Sequence, residues 1–412
     1  MNDNDRSILS ITMLGHGMVH AYELAIPIFI IIWMDELQIS AAVIGIVVAI
    51  GYALYGIGAV PSGVATDAYG SKRLLIVCLL GMGGSFLLLG LAGGLVGISV
   101  ALLFWGAAAS IYHPAGLRLI STGISRRGTG FAYHGIAGNL GIAVGPLIAV
   151  LLLIALEWRV VAIVMALPAL AAAGYTAYVS VDETAEIPER DGGSIEDGSL
   201  RSVGELLRET RLLFVGGFIL VFPIVILEGF FYRGVLTFLP NVLASYPSLE
   251  AVTVADREVD PARYVYVGLL FVGMGGQYVG GKLSDRMPPE RAVIGAFAAL
   301  AVLSALFVPA ATVGLIPLLV VSALLGFVLF GEQPLLQAMV ADYSSSDVRG
   351  LSYGYMFLGV FGVGALGAAF SGALLAYTTQ QIMFLLLAVV PTIAAVLAAT
   401  LTARDLRELR RS

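Results

Sequence analysis

Charge is scarce in this 412-residue chain. Asp, Glu, Lys and Arg together make 12% of it, about half of the roughly 25% found in soluble domains. Hydrophobic residues make 59%, too many for a water-facing surface to hide, so lipid is the expected solvent for most of the chain. Cysteine is nearly absent. The single Cys78 lies in an apolar run, which excludes a disulfide framework and any multi-cysteine metal site. No basic run exists to hold nucleic acid, and the net charge of −6 falls mostly in loops and tails. The opening MNDNDR is polar and acidic, and no small-residue cleavage site follows the first apolar run. That run is expected to be a retained helix and not a removed signal peptide.

What the chain has in quantity is apolar runs of about 20 residues, long enough to cross a bilayer. Twelve spans are read, at 8–33, 41–65, 73–93, 97–121, 130–155, 159–180, 211–243, 264–284, 291–310, 314–340, 350–376 and 381–402. Backbone groups in lipid need internal partners, so each span is expected to be helical. The many glycines within them allow close helix approach. Residues 183–208 are acidic, carry Gly192–Gly193 and show no apolar period; a mobile connector is expected, with a short surface helix at its end. Residues 244–263 form a second polar loop, between spans 7 and 8.

Lys and Arg set the orientation. With both termini cytoplasmic, only Arg159, Arg257 and Arg263 fall outside, and Arg233 lies within a span. The other eighteen of the 22 cations fall inside. A multi-pass protein of the plasma membrane, with both termini in the cytoplasm, is expected.

The two halves repeat. Gly63–Arg73, GVATDAYGSKR, holds Gly63, Asp67, Gly70, Lys72 and Arg73 in one short loop. Gly281–Arg291, GKLSDRMPPER, follows 218 positions later with Gly281, Asp285, Arg286 and Arg291. Tyr112-His113-Pro114 in span 4 aligns with Glu332-Gln333-Pro334 in span 10. His20 precedes Pro27 by seven residues, and Arg233 precedes Pro240 by seven. The expected domains are a six-helix bundle at 1–182, a cytoplasmic linker at 183–208 and a second bundle at 209–412. Two parallel halves suggest alternating access about a central site.

Twelve spans, a central linker and a doubled Gly-x-x-x-Asp loop resemble the major facilitator superfamily over the whole chain. The resemblance implies an all-α membrane protein of twelve transmembrane helices in two pseudo-symmetric six-helix bundles. It also implies that the loop of Gly63, Asp67, Gly70, Lys72 and Arg73, with Asp285 and Arg286 in its second copy, latches the cytoplasmic side. Ala68 stands where the family has Arg, and Pro288 stands where the second copy would have Gly. A charged turn that only fixes topology is the plainer reading. In span 5, Gly138, Gly141, Gly145 and Pro146 are similar to the Gly-Pro motif of the family's exporters; helix packing through small residues explains the glycines equally well. Leu102 stands where multidrug exporters carry Arg, which points away from that subgroup. His20, Glu23 and Pro27, then Tyr112, His113, Pro114 and Gly116, then Thr237 and Pro240, resemble fosmidomycin-resistance-type exporters, with Glu23 where those carry Asp.

All four histidines, His16, His20, His113 and His134, lie in apolar runs of the first half. His16, His20 and Glu23 are spaced i, i+4, i+7, on one stripe of span 1. His20 lies about 18 Å into that span, where an ionisable group costs roughly 2.5–3.5 kcal/mol, so a cavity or a partner is expected. The resemblance places spans 1, 4, 7 and 10 around the cavity. Tyr112, His113, Glu228, Arg233, Glu332, Gln333 and Gln337 lie on those spans. A His–Glu stripe suits proton transfer near neutral pH; a neutral histidine bonded to a neighbouring helix is the bland alternative. Glu228 and Arg233 are five apart, about 140° on an ideal helix, so they are not expected to pair directly. Arg233 suits an anionic substrate group or a fixed ion pair with Glu332 or Glu23. His16-x-x-x-His20 has metal-ligand spacing, but Gly17 follows His16, so the protease form H-E-x-x-H is absent, and no enzyme is expected. No cofactor and no metal are expected either.

The leading expectation is a monomeric secondary transporter that exports small organic compounds in exchange for protons. An uptake symporter for an organic anion or sugar, and a non-transporting membrane receptor, are the rivals.

Overall fold

A computed structural model describes residues 1–186, 203–214, 217–254, 257–344 and 349–409. Helices form where the apolar runs stand, because a lipid-facing segment can satisfy its N–H and C=O groups only along itself. In order they are α1 (Asp3–Leu37), α2 (Ala41–Ile57), α3 (Ala59–Tyr69), α4 (Ser71–Gly90), α5 (Leu95–Ala109), α6 (Tyr112–Gly123), α7 (Arg127–Leu153) and α8 (Trp158–Tyr178). Then come α9 (Val203–Leu213), α10 (Phe218–Leu236), α11 (Leu239–Ala244), α12 (Pro261–Ser284), α13 (Pro289–Val313), α14 (Leu315–Asp342), α15 (Arg349–Phe357), α16 (Leu366–Tyr377) and α17 (Gln380–Leu409).

Among the described residues, ten helical stretches are long and apolar enough to cross a membrane, and α2 with α3, bent by 41°, makes an eleventh if taken as one span. The count read from the sequence was twelve; the remaining stretch is α12. It has 24 residues, but six glycines and Gln277 make it less apolar than its neighbours. Several spans are composite: α5 runs on through α6, and α10 through α11. Between α15 and α16 the chain takes a π-helical turn, Leu358–Val363.

One loop expectation changes. The 244–263 loop carries a two-stranded antiparallel hairpin, β1 (Val252–Val254) with β2 (Arg257–Val259), in register Val252↔Val259 and Val254↔Arg257. β-Branched residues at 252–254 suit that extended pairing. The connector read at 183–208 lies outside the described residues from 187 to 202; α9, largely exposed, forms its end.

Contacts group the chain into two units, Met1–Phe29 with Ile50–Leu206, and Ile30–Ala49 with Leu207–Ser412. In the first unit α4 packs on α5 and α8. Helix α7 lies against α1 with almost no space between backbones: a Cβ on Gly141 would strike the Gly17 carbonyl, and one on Gly145 would strike Ala21. This crossing holds the histidine-bearing turns of α1 in place. In the second unit α12 packs on α14, and α13 on α14 and α17. There Gly229 of α10 meets Val360 of the π-turn.

Candidate functional site

The α1 stripe read from the sequence is a hydrogen-bonded chain. His20 Nδ1 lies 2.7 Å from Glu23 Oε2, and His20 Nε2 lies 3.1 Å from His16 Nε2. His16 Nδ1 is 2.7 Å from the His134 carbonyl oxygen. Helical spacing puts the three side chains on one face, and the Gly141–Gly17 crossing brings α7 near enough for the last contact. All are buried or nearly so: Glu23 is 1% exposed, and the His20 side chain 13%.

Helix α6 adds two members. His113 Nε2 is 2.9 Å from the Tyr55 hydroxyl, and the His113 ring meets the His16 ring edge-on at 5.4 Å. The Tyr112 hydroxyl donates to the Thr12 carbonyl, and its ring stacks 5.3 Å from that of His16. Tyr52 donates to the Glu23 carbonyl at 3.1 Å. His134 stacks on His16 at 3.8 Å. It was read as one more apolar-run histidine, not as a site residue. Its location in such a run was the available signal, but its partner lies 118 positions away.

The second unit holds another buried polar group. Glu228, Arg233 and Glu332 are each at most 3% exposed. Glu228 on α10 and Glu332 on α14 lie near enough for their charges to be felt by one another, while both Glu332 carboxyl oxygens are buried without a hydrogen-bond partner among the described residues. The Arg233 guanidinium carbon stands 5.3 Å from the Tyr232 ring centre and 5.5 Å from that of Phe361, in the π-turn. Gln333 is half-buried and Gln337 exposed.

The Gly63–Arg73 stretch, expected to be a loop, is helical except at Gly70: Gly63–Tyr69 close α3 and Ser71–Arg73 open α4, and it is built into its own unit. Asp67 pairs with Arg118 at 3.0 Å, and Arg118 also donates to the Thr66 carbonyl at 3.4 Å. Arg118, one of the eighteen cations expected on the inner side, is thus the partner of Asp67. Gly70 takes φ 85° and ψ 150°, a region essentially reserved for glycine. This sharp reversal starts α4 there. Glu183 then accepts from the backbone N–H of Ser71 at 2.7 Å and of Lys72 at 3.0 Å, an anion at a helix N-terminus. The Lys72 ammonium donates to the Ala177 carbonyl at 3.3 Å, and Arg73 is exposed. In the second loop Asp285 ends α12. Among the described residues neither Asp285 nor Arg286 forms an ion pair. The span 5 glycines Gly141 and Gly145 are accounted for by the α1 crossing, and Pro146 lies buried within α7.

The Major Facilitator Superfamily family model matches residues 10–332 and 265–412. Among solved structures, the chain is similar to a bacterial homologue of the human lysosomal transporter Spinster, with TM-score 0.74 and 14% identity, covering 99% of this chain and 98% of that one. It is similar to the nucleoside transporter NupG, with TM-score 0.72 and 15% identity over 97% and 100% of the two chains. A peptide transporter, POT, solved with sulfate, gives TM-score 0.72 and 14% identity over 98% and 94%. At these identities the likeness is one of fold. A comparison with curated proteins finds no match.

Proposed function

The chain belongs to the Major Facilitator Superfamily, and from that premise we propose that it is a secondary active transporter that exports small organic compounds in exchange for protons, by alternating access. The observation that carries the reading is the buried group of Glu228, Arg233 and Glu332, each at most 3% exposed on apolar helices. An ionisable side chain at such depth costs roughly 2.5–3.5 kcal/mol. Three such groups buried in one unit call for a compensating use.

Arg233 supplies that use on the substrate side. A guanidinium presents a planar fork of donors to a carboxylate or phosphonate, and Tyr232 and Phe361 beside it offer aromatic surface that suits an organic body. Glu228 and Glu332 supply the proton side, since two adjoining carboxyls can hold one proton between them. Proton and anion would thus be taken by neighbouring groups of one unit. His16, His20, Glu23, Tyr112 and His113 form the polar face proposed for the other unit. Gln333 and Gln337 are proposed as further substrate contacts. The resemblance of the His20–Glu23–Pro27 and Tyr112–Pro114 stretches to fosmidomycin-resistance-type exporters supports the proposal of export and of phosphonate-like or carboxylate-bearing cargo. A plasma-membrane location with both termini cytoplasmic, and a monomeric state, belong to the same proposal.

The test uses inside-out vesicles with an acidified lumen and a panel of radiolabelled phosphonates and carboxylates. Accumulation driven by lumenal acid is the expected result. Accumulation driven by external acid would make the protein an uptake symporter, and no gradient-driven accumulation of any anion would overturn the reading. Glu332→Gln is expected to abolish proton-driven accumulation while leaving substrate-for-substrate exchange within about twofold of wild type, because exchange returns loaded and needs no proton release. Equal loss of both activities would remove Glu332 from coupling.

A further inference from the structure

We propose that His16, His20 and His113 form a binding site for a divalent transition-metal cation of the Zn2+ type. This goes beyond the transport reading and departs from the sequence expectation of no metal. Three ring nitrogens, one from each histidine, lie within 4.8 Å of one another inside the first unit.

The hydrogen bonds decide which nitrogens face the site. A backbone carbonyl can only accept, so His16 Nδ1, 2.7 Å from the His134 oxygen, carries the ring proton. The lone pair of a neutral His16 ring is then on Nε2. His20 Nδ1 lies 2.7 Å from a Glu23 carboxyl oxygen; an ionised carboxylate likewise only accepts, which leaves the His20 lone pair on Nε2. The two Nε2 atoms face each other at 3.1 Å. A positive centre between them joins the two rings: a ring proton does so in a hydrogen bond, and a metal cation would do so in its place. Two nitrogens bound tetrahedrally to one zinc, at about 2.0–2.1 Å each, stand roughly 3.3–3.4 Å apart. The observed spacing is therefore within a few tenths of an ångström of a chelating pair.

The third ligand and the support fit the same chemistry. Tyr55 lies 2.9 Å from His113 Nε2, and His113 is the third ring whose nitrogen converges on the site. Each of the three rings has a nitrogen tied to a carbonyl, a carboxylate or a hydroxyl, the kind of contact by which proteins orient metal-ligating histidines. The fourth histidine, His134, stacks on His16 and has a buried Nε2 without a hydrogen-bond partner among the described residues. Three imidazoles favour zinc, cobalt, nickel or copper over magnesium or calcium, which prefer oxygen ligands. The fourth position is left to a small ligand.

Tag-free protein in detergent, titrated with Zn2+ by calorimetry, is expected to bind one equivalent. Co2+ is expected to give the visible absorption of a tetrahedral nitrogen-ligated ion, bleached by Zn2+. Ala at His16, His20 or His113 is expected to weaken binding at least tenfold, and Glu23→Gln by about 10–100-fold; each variant's thermal unfolding is recorded so that loss of the fold is not counted as loss of the site. Binding that survives all three alanine variants, Mg2+ binding as tightly as Zn2+, or wild-type protein that binds neither Zn2+ nor Co2+ would each overturn the proposal. None of these readouts needs a substrate or a gradient, so they stand or fall apart from the transport reading.

Discussion

Asp67 shows how little a single ion pair need weigh in stability. Its side chain is 62% exposed and that of its partner Arg118 is 33% exposed. Exposed pairs of this kind contribute about 0–1 kcal/mol. Asp67→Asn is therefore expected to leave the thermal unfolding midpoint nearly unchanged. Transport is expected to slow several-fold in vesicles, as a latch role requires. An unchanged rate would reduce the loop to a charged turn. Arg118 and Glu183 carry the same lesson about reach. Each completes the Gly63–Arg73 stretch from a distant place in the chain, and neither resides in any motif near Asp67.

At the scale of elements, the α1–α7 crossing ties packing to chemistry. Gly141 rests on the Gly17 backbone, and a Cβ on Gly138 would strike the His16 ring. Any larger side chain there must separate the helices or tilt the histidine. Gly141→Val is expected to cost about 1–3 kcal/mol, the usual penalty of overpacking, measured by chemical or thermal unfolding in detergent. Because His16 moves with α1, the same variant is expected to lose Zn2+ affinity. A variant with wild-type stability would show that the crossing is looser than its geometry implies. The π-turn at Leu358–Val363 is the matching device in the second unit. It brings Val360 onto Gly229 and Phe361 within 5.5 Å of Arg233, and such turns recur at functional sites because they re-aim one side chain without breaking the helix.

At the scale of the whole molecule, orientation is the property with a direct test. Cys78 is fully buried, so the native background to thiol labelling is low. Lys72→Cys, in a loop expected inside the cell, is predicted to react with a membrane-impermeant maleimide only after permeabilisation. Glu250→Cys, in the loop that carries the β1–β2 hairpin, is predicted to react on intact cells. The opposite pattern would invert the topology, because the excess of Lys and Arg on one side is the whole argument for it.

The lipid setting, the helical spans, the repeated halves and the His16–His20–Glu23 stripe were legible in the amino-acid order: the spans and the stripe depend on neighbours within a few turns, and the repeat on short stretches that match by type wherever they fall. A backbone in lipid must bond to itself locally, and i, i+4, i+7 spacing is a property of one helix. The Asp67–Arg118 pair, the arrival of His113 and His134 around His16, the seating of Glu183 on α4 and the π-turn beside Arg233 were decided only in three dimensions. These contacts join residues about fifty to more than a hundred positions apart, and no local period carries the information about which distant helix will come to lie alongside.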